Sequence, residues 1–156
     1  MSKLIEAFRG CGRGYCPPES LELEGKALPF GQADGCVKCE EDLFLVLSAG
    51  SAFVYDAAAC AAVKAADAAQ EPCADLDLWQ AELHPAQGKT LLCGFAEGKL
   101  WFADEAIPAP VRNLRERLYL VDAGELCLVI DTARFLFYGA LDGHFLGGNI
   151  VNMELD

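Results

Sequence analysis

The sequence predicts an α+β fold: an antiparallel sheet of consecutive hairpins, one alanine-rich helix packed on it, and a loop-rich, cysteine-rich N-terminal segment. Three observations predict it. Short apolar runs from Leu43 onward are separated by glycine-bearing turns, the stretch after Asp56 is a strong helix former, and Gly, Pro and Cys crowd residues 1–40. The chain has 156 residues, of which 53% are hydrophobic. That is enough to bury one core without staples, so residues 1–156 are read as a single domain with segments 1–40 and 41–156.

In segment 1–40, six of the 15 Gly, three of the seven Pro and four of the eight Cys punctuate the chain, which leaves only Lys3–Arg9 as a short helix candidate, with Leu4 and Phe8 on one face. Something other than periodic apolar burial must hold the rest. Cys11 and Cys16, followed by Cys36 and Cys39, offer two close pairs whose thiolates can converge on a structural zinc ion. Four cysteine ligands would close such a site to substrate. The alternative is that these are free thiols, buried or at the surface. Cys36-Val37-Lys38-Cys39 is a poor redox pair, because Glu40, Glu41 and Asp42 disfavour a thiolate beside them.

The region 41–156 supplies four hairpins. Leu43–Ser48 and Ser51–Tyr55 flank Ala49-Gly50; Leu91–Ala96 and Lys99–Ala103 flank Glu97-Gly98. Leu118–Asp122 and Glu125–Ile130 flank Ala123-Gly124, and Phe135–Leu141 and His144–Val151 flank Asp142-Gly143. Asp-Gly suits a two-residue turn, whereas the other three sequences suggest three-residue loops with a left-handed glycine. The runs are nearly continuous in apolar residues, which suggests strands covered on both faces. Asp56, Asp104 and Asn149 each lie six residues after a turn glycine, and Asp131 seven after Gly124. This is a weak echo, and the unequal intervals between those glycines argue against a repeat fold.

Asp56 is a plausible N-cap for a helix over Asp56–Gln70, with Pro72 beyond its end. Leu76, Trp79 and Leu83 fit a second helix or a strand. Val111, Leu114 and Leu118 after Pro108 and Pro110 resemble a helix start. Cys60, Cys93 and Cys127 are read as small core residues.

No catalytic set emerges. The two histidines, His84 and His144, sit in no nucleophile or metal pattern, and Gly10-x-Gly12-x-Gly14 follows no strand as a phosphate loop would. The N-terminus shows no secretory hydrophobic region, and the longest apolar run, Ala57–Val63, has seven residues against the roughly 20 of a membrane helix. A cytosolic protein with reduced thiols is expected.

Charge is the strongest compositional signal. The formal net charge is -12, and residues 41–111 carry eleven acidic groups against three basic ones. Such a field disfavours nucleic acid phosphates and anionic membranes as partners. Asp67, Glu71, Asp75, Asp77 and Glu82 form a long acidic run, Glu40-Glu41-Asp42 a second cluster, and Arg112, Arg115 and Arg117 the one basic cluster. Carboxylates at this density keep a protein soluble, and they also steer it toward basic partners. The expected function is a small acidic cytosolic binding protein that inhibits or regulates a basic protein, such as a toxin or a nucleic-acid enzyme, as an immunity protein or a nucleic-acid-mimicking phage inhibitor does. The alternative is a metal- or thiol-dependent enzyme or sensor built on Cys11, Cys16, Cys36 and Cys39. Sequence sets no oligomeric state.

Overall fold

In the computed structural model, the apolar runs pair in chain order, each with its sequence neighbour. The structure describes residues 5–6, 8, 20, 22–23, 26–29, 31–63, 80–83, 91–96, 98–102 and 105–149. Among them are thirteen strands in three antiparallel sheets. The first sheet holds β1 (Gly35–Glu40), β2 (Leu43–Ser48), β3 (Ser51–Asp56) and β4 (Ala61–Val63). The second holds β5 (Gln80–Leu83), β6 (Leu91–Ala96), β7 (Lys99–Phe102) and β8 (Glu105–Pro108). The third holds β9 (Val111–Arg115), β10 (Leu118–Asp122), β11 (Leu126–Asp131), β12 (Leu136–Leu141) and β13 (His144–Asn149).

Side-chain alternation makes the third sheet the middle layer. Tyr119, Val121, Leu128 and Ile130 point to one face, where they pack with Cys93, Phe95 and Leu100 of the second sheet. Leu118, Leu120, Val129 and Ala140 point to the other, against Val37, Leu45 and Val54 of the first. A strand covered on both faces needs apolar residues at every position, which is why β10 and β11 read as continuous runs.

The first sheet has a second covered face. Cys36, Phe44, Val46 and Tyr55 lie on its outer side, packed with Leu23, Leu28 and Ala33. All six residues of β2 are buried as a result. Hydrogen bonds tie the same segment down: Ser20 N–H donates to the Cys36 carbonyl at 2.7 Å and Asp34 N–H to the Leu47 carbonyl at 2.8 Å. The Ser48 hydroxyl donates to the Gln32 carbonyl at 2.9 Å. The described residues between 20 and 34 are therefore anchored by apolar packing and backbone pairing to the first sheet.

The α+β expectation is overturned. Among the described residues only Ile5, Glu6 and Phe8 have helical backbone, and the alanine-rich stretch after Asp56 forms no helix there. Within the predicted helix Asp56–Gln70, residues 57–60 form a turn and Ala61–Val63 the strand β4, while residues 64–70 lie outside the described residues. Asp56 does cap: its Oδ1 accepts the N–H groups of Ala58 at 3.0 Å and Ala59 at 3.2 Å. The same two bonds suit a tight turn, and Cys60 at φ 51° sends the chain back to pair with β3. Local helix propensity thus loses to strand pairing. Val111 and Leu114, predicted as a helix start, belong to β9, and Leu83 to β5; Leu76 and Trp79 lie outside the described residues.

All four predicted hairpins are present; the Asp142-Gly143 turn has the two residues expected of it, and the other three are tighter than expected. Ser48 pairs with Ser51 and Ala96 with Lys99, which leaves two residues in each turn. Ala123 N–H donates to the Leu126 carbonyl at 2.9 Å, so the β10–β11 turn is Gly124-Glu125. Gly124 at φ 83° followed by a residue without positive φ has the pattern of a II′ turn. Ala49 and Gly50 both have positive φ, at 51° and 82°, as a I′ turn requires. An alanine there is strained by about 1 kcal/mol. Ala49→Asn, which suits that conformation, is expected to raise stability by about 1 kcal/mol in urea unfolding, with no change in fold.

Two of the sheets contain the same unit. In β1–β4 and again in β9–β12, a bulged hairpin is followed by a two-residue turn and then by an Asp-headed four-residue turn. Corresponding residues keep constant spacing: Asp42 with Arg117, Asp56 with Asp131, and Cys60 with Phe135. Asp131 Oδ1 accepts from Ala133 and Arg134 N–H at 3.0 and 2.9 Å, as Asp56 does from Ala58 and Ala59. Ala57 N–H donates to the Asp42 carbonyl, and Thr132 N–H to that of Arg117. The fourth residue of each turn is left-handed, Cys60 at 51° and Phe135 at 58°. The weak echo of aspartates is thus a structural repeat at Asp56 and Asp131. Unequal glycine intervals hid it because one turn places its glycine second and the other first.

Candidate functional site

The first and third sheets part at the ends that carry their two-residue turns, leaving a cleft of about 410 Å³. Its floor is the inner layer: Leu47 and Val54 from the first sheet, Leu120 and Ala140 from the third. The equivalent turns of the two units, Ala49-Gly50 and Gly124-Glu125, contribute Gly50, Gly124 and Glu125 to its rim, so the cleft lies where the repeated units face each other. Asp122, Glu125 and Asp142 also bring three carboxylates to it. No lysine, arginine or histidine lines it among the described residues.

Each rim carboxylate follows from local turn chemistry. Asp122 Oδ1 accepts the Gly124 N–H at 3.0 Å, closing the β10–β11 turn. Asp142 at φ 54° and Gly143 at φ 76° form the I′ turn between β12 and β13, where Leu141 pairs with His144. Glu125 is the second residue of the II′ turn. Sequence reasoning passed over these three because each reads as a turn former, and charge density was sought along the chain rather than at one end of the sheets. The signal was there in the acids beside successive turn glycines.

The acidic residues singled out from sequence lie elsewhere. Asp67, Glu71, Asp75 and Asp77 are outside the described residues, and Glu82 sits on β5 with its side chain outside them. The Glu40-Glu41-Asp42 cluster meets the basic one: Arg115 lies 3.6 Å from Glu40 and 3.7 Å from Asp42. These ion pairs join the bulged ends of the two units, and being half-exposed they contribute little to stability. Lys38 bonds Glu22 at 3.2 Å, and that carboxylate raises its pKa.

Of the predicted zinc ligands, Cys11 and Cys16 lie outside the described residues. Cys36 and Cys39 are brought onto one strand but to opposite faces. Cys36 packs in the outer layer and its thiol donates to the Ser20 carbonyl at 2.8 Å. Cys39 packs between the first and third sheets. As placed, these two thiols do not converge, and no group of three metal-ligating side chains is found among the described residues. Cys36, Cys39, Cys60, Cys93 and Cys127 form no disulfide.

Burial pushes the Cys39 thiol up from near 9 to about 12. Burial first, then the Asp122 carboxylate, pushes Cys127 up to about 12 as well. Cys39, 2% exposed, is therefore a neutral thiol at pH 8 and is expected to resist a thiol reagent in the native protein, while exposed Cys60 reacts. Mass mapping of the labelled protein checks this. Its contribution to stability is complete below pH 9, where both states hold the proton, and is lost as pH rises toward 12 and only the unfolded chain ionises. For Cys39 the loss between pH 9 and 11 is expected to be about 2 kcal/mol. Urea unfolding across that range, with Cys39→Val giving a flatter dependence, measures it.

No protein-family model matches this chain, and no curated protein or solved structure matches it either. No helix among the described residues is long and apolar enough to cross a membrane.

Proposed function

We propose that the chain is a non-catalytic cytosolic binding protein that inhibits or regulates a basic protein partner through its negative field. The observation that carries this reading is the net charge of -12, whose carboxylates include three on the rim of a cleft that no lysine, arginine or histidine lines among the described residues. Such a field accelerates encounter with a basic surface and repels nucleic acid and anionic lipid. It suits partners whose own sites are built for phosphate, such as toxins with nuclease activity and other nucleic-acid enzymes.

The test starts from the full chain as bait, followed by purification of the captured protein and measurement of the reconstituted complex. Affinity is expected to fall steeply with salt. Reversing Asp67, Glu71, Asp75 and Asp77 to lysine should weaken it further. An interaction indifferent to both salt and charge reversal would remove the electrostatic reading.

A further inference from the structure

We infer that the face joining the first and third sheets is a dimer-type interface held within one chain, and that a charge inversion at its bulged end selects the pairing of unlike units over like ones. This holds independently of the proposed function.

Equivalent residues of the two units meet across that face. Leu43, Leu45 and Val54 of the first unit (β1–β4) pack in one layer with Leu118, Leu120 and Val129, their equivalents in the second unit (β9–β12). One surface patch meeting its own equivalent makes an isologous contact, the arrangement of a twofold dimer. The apolar layer would therefore serve two first units, or two second units, as well as it serves the unlike pair. Some other feature has to choose between them.

The bulged ends supply that choice. Glu40 has Arg115 as its equivalent and Asp42 has Arg117, whereas Glu41 and Glu116 match. Position 40 also meets its equivalent in space: Arg115 Nη1 lies 3.6 Å from Glu40 Oε2, and Nη2 lies 3.7 Å from Asp42 Oδ2. Glu40 Oε2 is enclosed and accepts no hydrogen bond, so the facing guanidinium is what compensates it. Two first units paired in the same geometry would set Glu40 against Glu40 around that enclosed oxygen, and two second units would set Arg115 against Arg115. Like charges held this close cost more than a half-exposed opposite pair gains. The inversion thus leaves the observed pairing nearly neutral and penalises its competitors, which is specificity rather than stability.

The test reverses the charges in the full chain. Glu40→Arg with Asp42→Arg makes both units basic at the bulged end, and Arg115→Glu with Arg117→Asp makes both acidic. The backbone bonds that the Asp42 and Arg117 carbonyls accept are kept. Each reversal should lower the urea midpoint by about 0.5 M at low salt, and all four substitutions together, which restore opposite charges, should return it to within about 0.2 M of wild type. Adding about 0.5 M NaCl should shrink these differences.

A second arm refolds the two reversals together from urea. At about 0.1 mM an equal mixture should form a dimer that exchanges first units, because both contacts then join opposite charges. With one chain isotopically labelled, native mass spectrometry should show this mixed dimer at roughly tenfold the abundance of the dimer in either variant refolded alone. If a reversal does not fold alone, recovery of folded protein in the mixture reads the same exchange, and the single variants Glu40→Arg and Arg115→Glu repeat the midpoint comparison. A combined variant no more stable than its component reversals, or a mixture holding no more dimer or folded protein than its components, would overturn the inference.

Discussion

Replacing Phe137 by alanine is expected to cost about 4 kcal/mol, the largest single-residue effect in the protein. Phe137 is 1% exposed and sits on β12, on the face of the middle sheet that packs against the second sheet. Its ring meets that of Phe8, itself fully buried, edge to face at 6.1 Å and 80°. Truncation removes the ring's burial, its contact with Phe8, and the support both give Leu128 and Leu141 nearby in the same layer. Neighbours already held in a two-sided sheet can collapse only partly into the space. Against a total of about 5–15 kcal/mol for a domain, such a loss leaves a marginal fold. Phe137→Leu keeps most of the volume and should cost about 1.5 kcal/mol, so the pair remains measurable in urea even if the alanine variant unfolds. A double-mutant cycle with Phe8→Leu should show coupling of about 1 kcal/mol. A cost for Phe137→Ala below about 1 kcal/mol would mean that the ring is not in the core.

The second large effect is of the opposite kind, an overfilled site. A Cβ on Gly139 would stand 2.8 Å from Leu128 Cδ2, 2.9 Å from Leu146 Cδ1 and 3.1 Å from the Cys127 carbonyl oxygen. Gly139 pairs with Leu128 on one side and Leu146 on the other, so both leucines close over the space it leaves. They are 0% and 2% exposed and have nowhere to swing. Gly139→Val is expected to cost about 3 kcal/mol, from overpacking inside a covered layer. Gly139→Ala should cost nearer 1 kcal/mol, because reduced freedom in the unfolded chain offsets part of the clash. Gly94 gives a useful contrast: its added Cβ would lie 2.7 Å from the Trp101 ring, but Trp101 is only half-buried and can move. Gly94→Ala should therefore be better tolerated than Gly139→Val. Wild-type stability for Gly139→Val would show that β11–β13 are not packed in this register.

Much of the sheet structure is legible because turn glycines and apolar runs act within a few residues of each other. Leu43–Ser48 and Leu126–Ile130 read as doubly covered strands, and both are. The helix after Asp56 was misread because the capping bonds from its carboxylate serve a helix and a four-residue turn equally. Pairing of Ala61–Val63 with β3 decided between them, and that is a long-range fact about the sheet. How the hairpins group into three sheets was illegible for the same reason. So was the cleft, whose floor is drawn from two sheets far apart in sequence and whose carboxylates come from two turns at one end of the third. Spacing alone does not orient the cysteine pair: two intervening residues suit a knuckle, but on the extended strand β1 they put Cys36 and Cys39 on opposite faces.

The cleft, the repeat and the outer sheets all depend on β9–β13 being the covered middle layer. Native-state amide hydrogen exchange tests this most directly. The amides of Leu120, Leu128 and Ile130 are expected to exchange only through global unfolding, while those of the short edge strand β4 exchange through smaller openings. Exchange in the centre of β10 and β11 as fast as in β4 would contradict the layered arrangement.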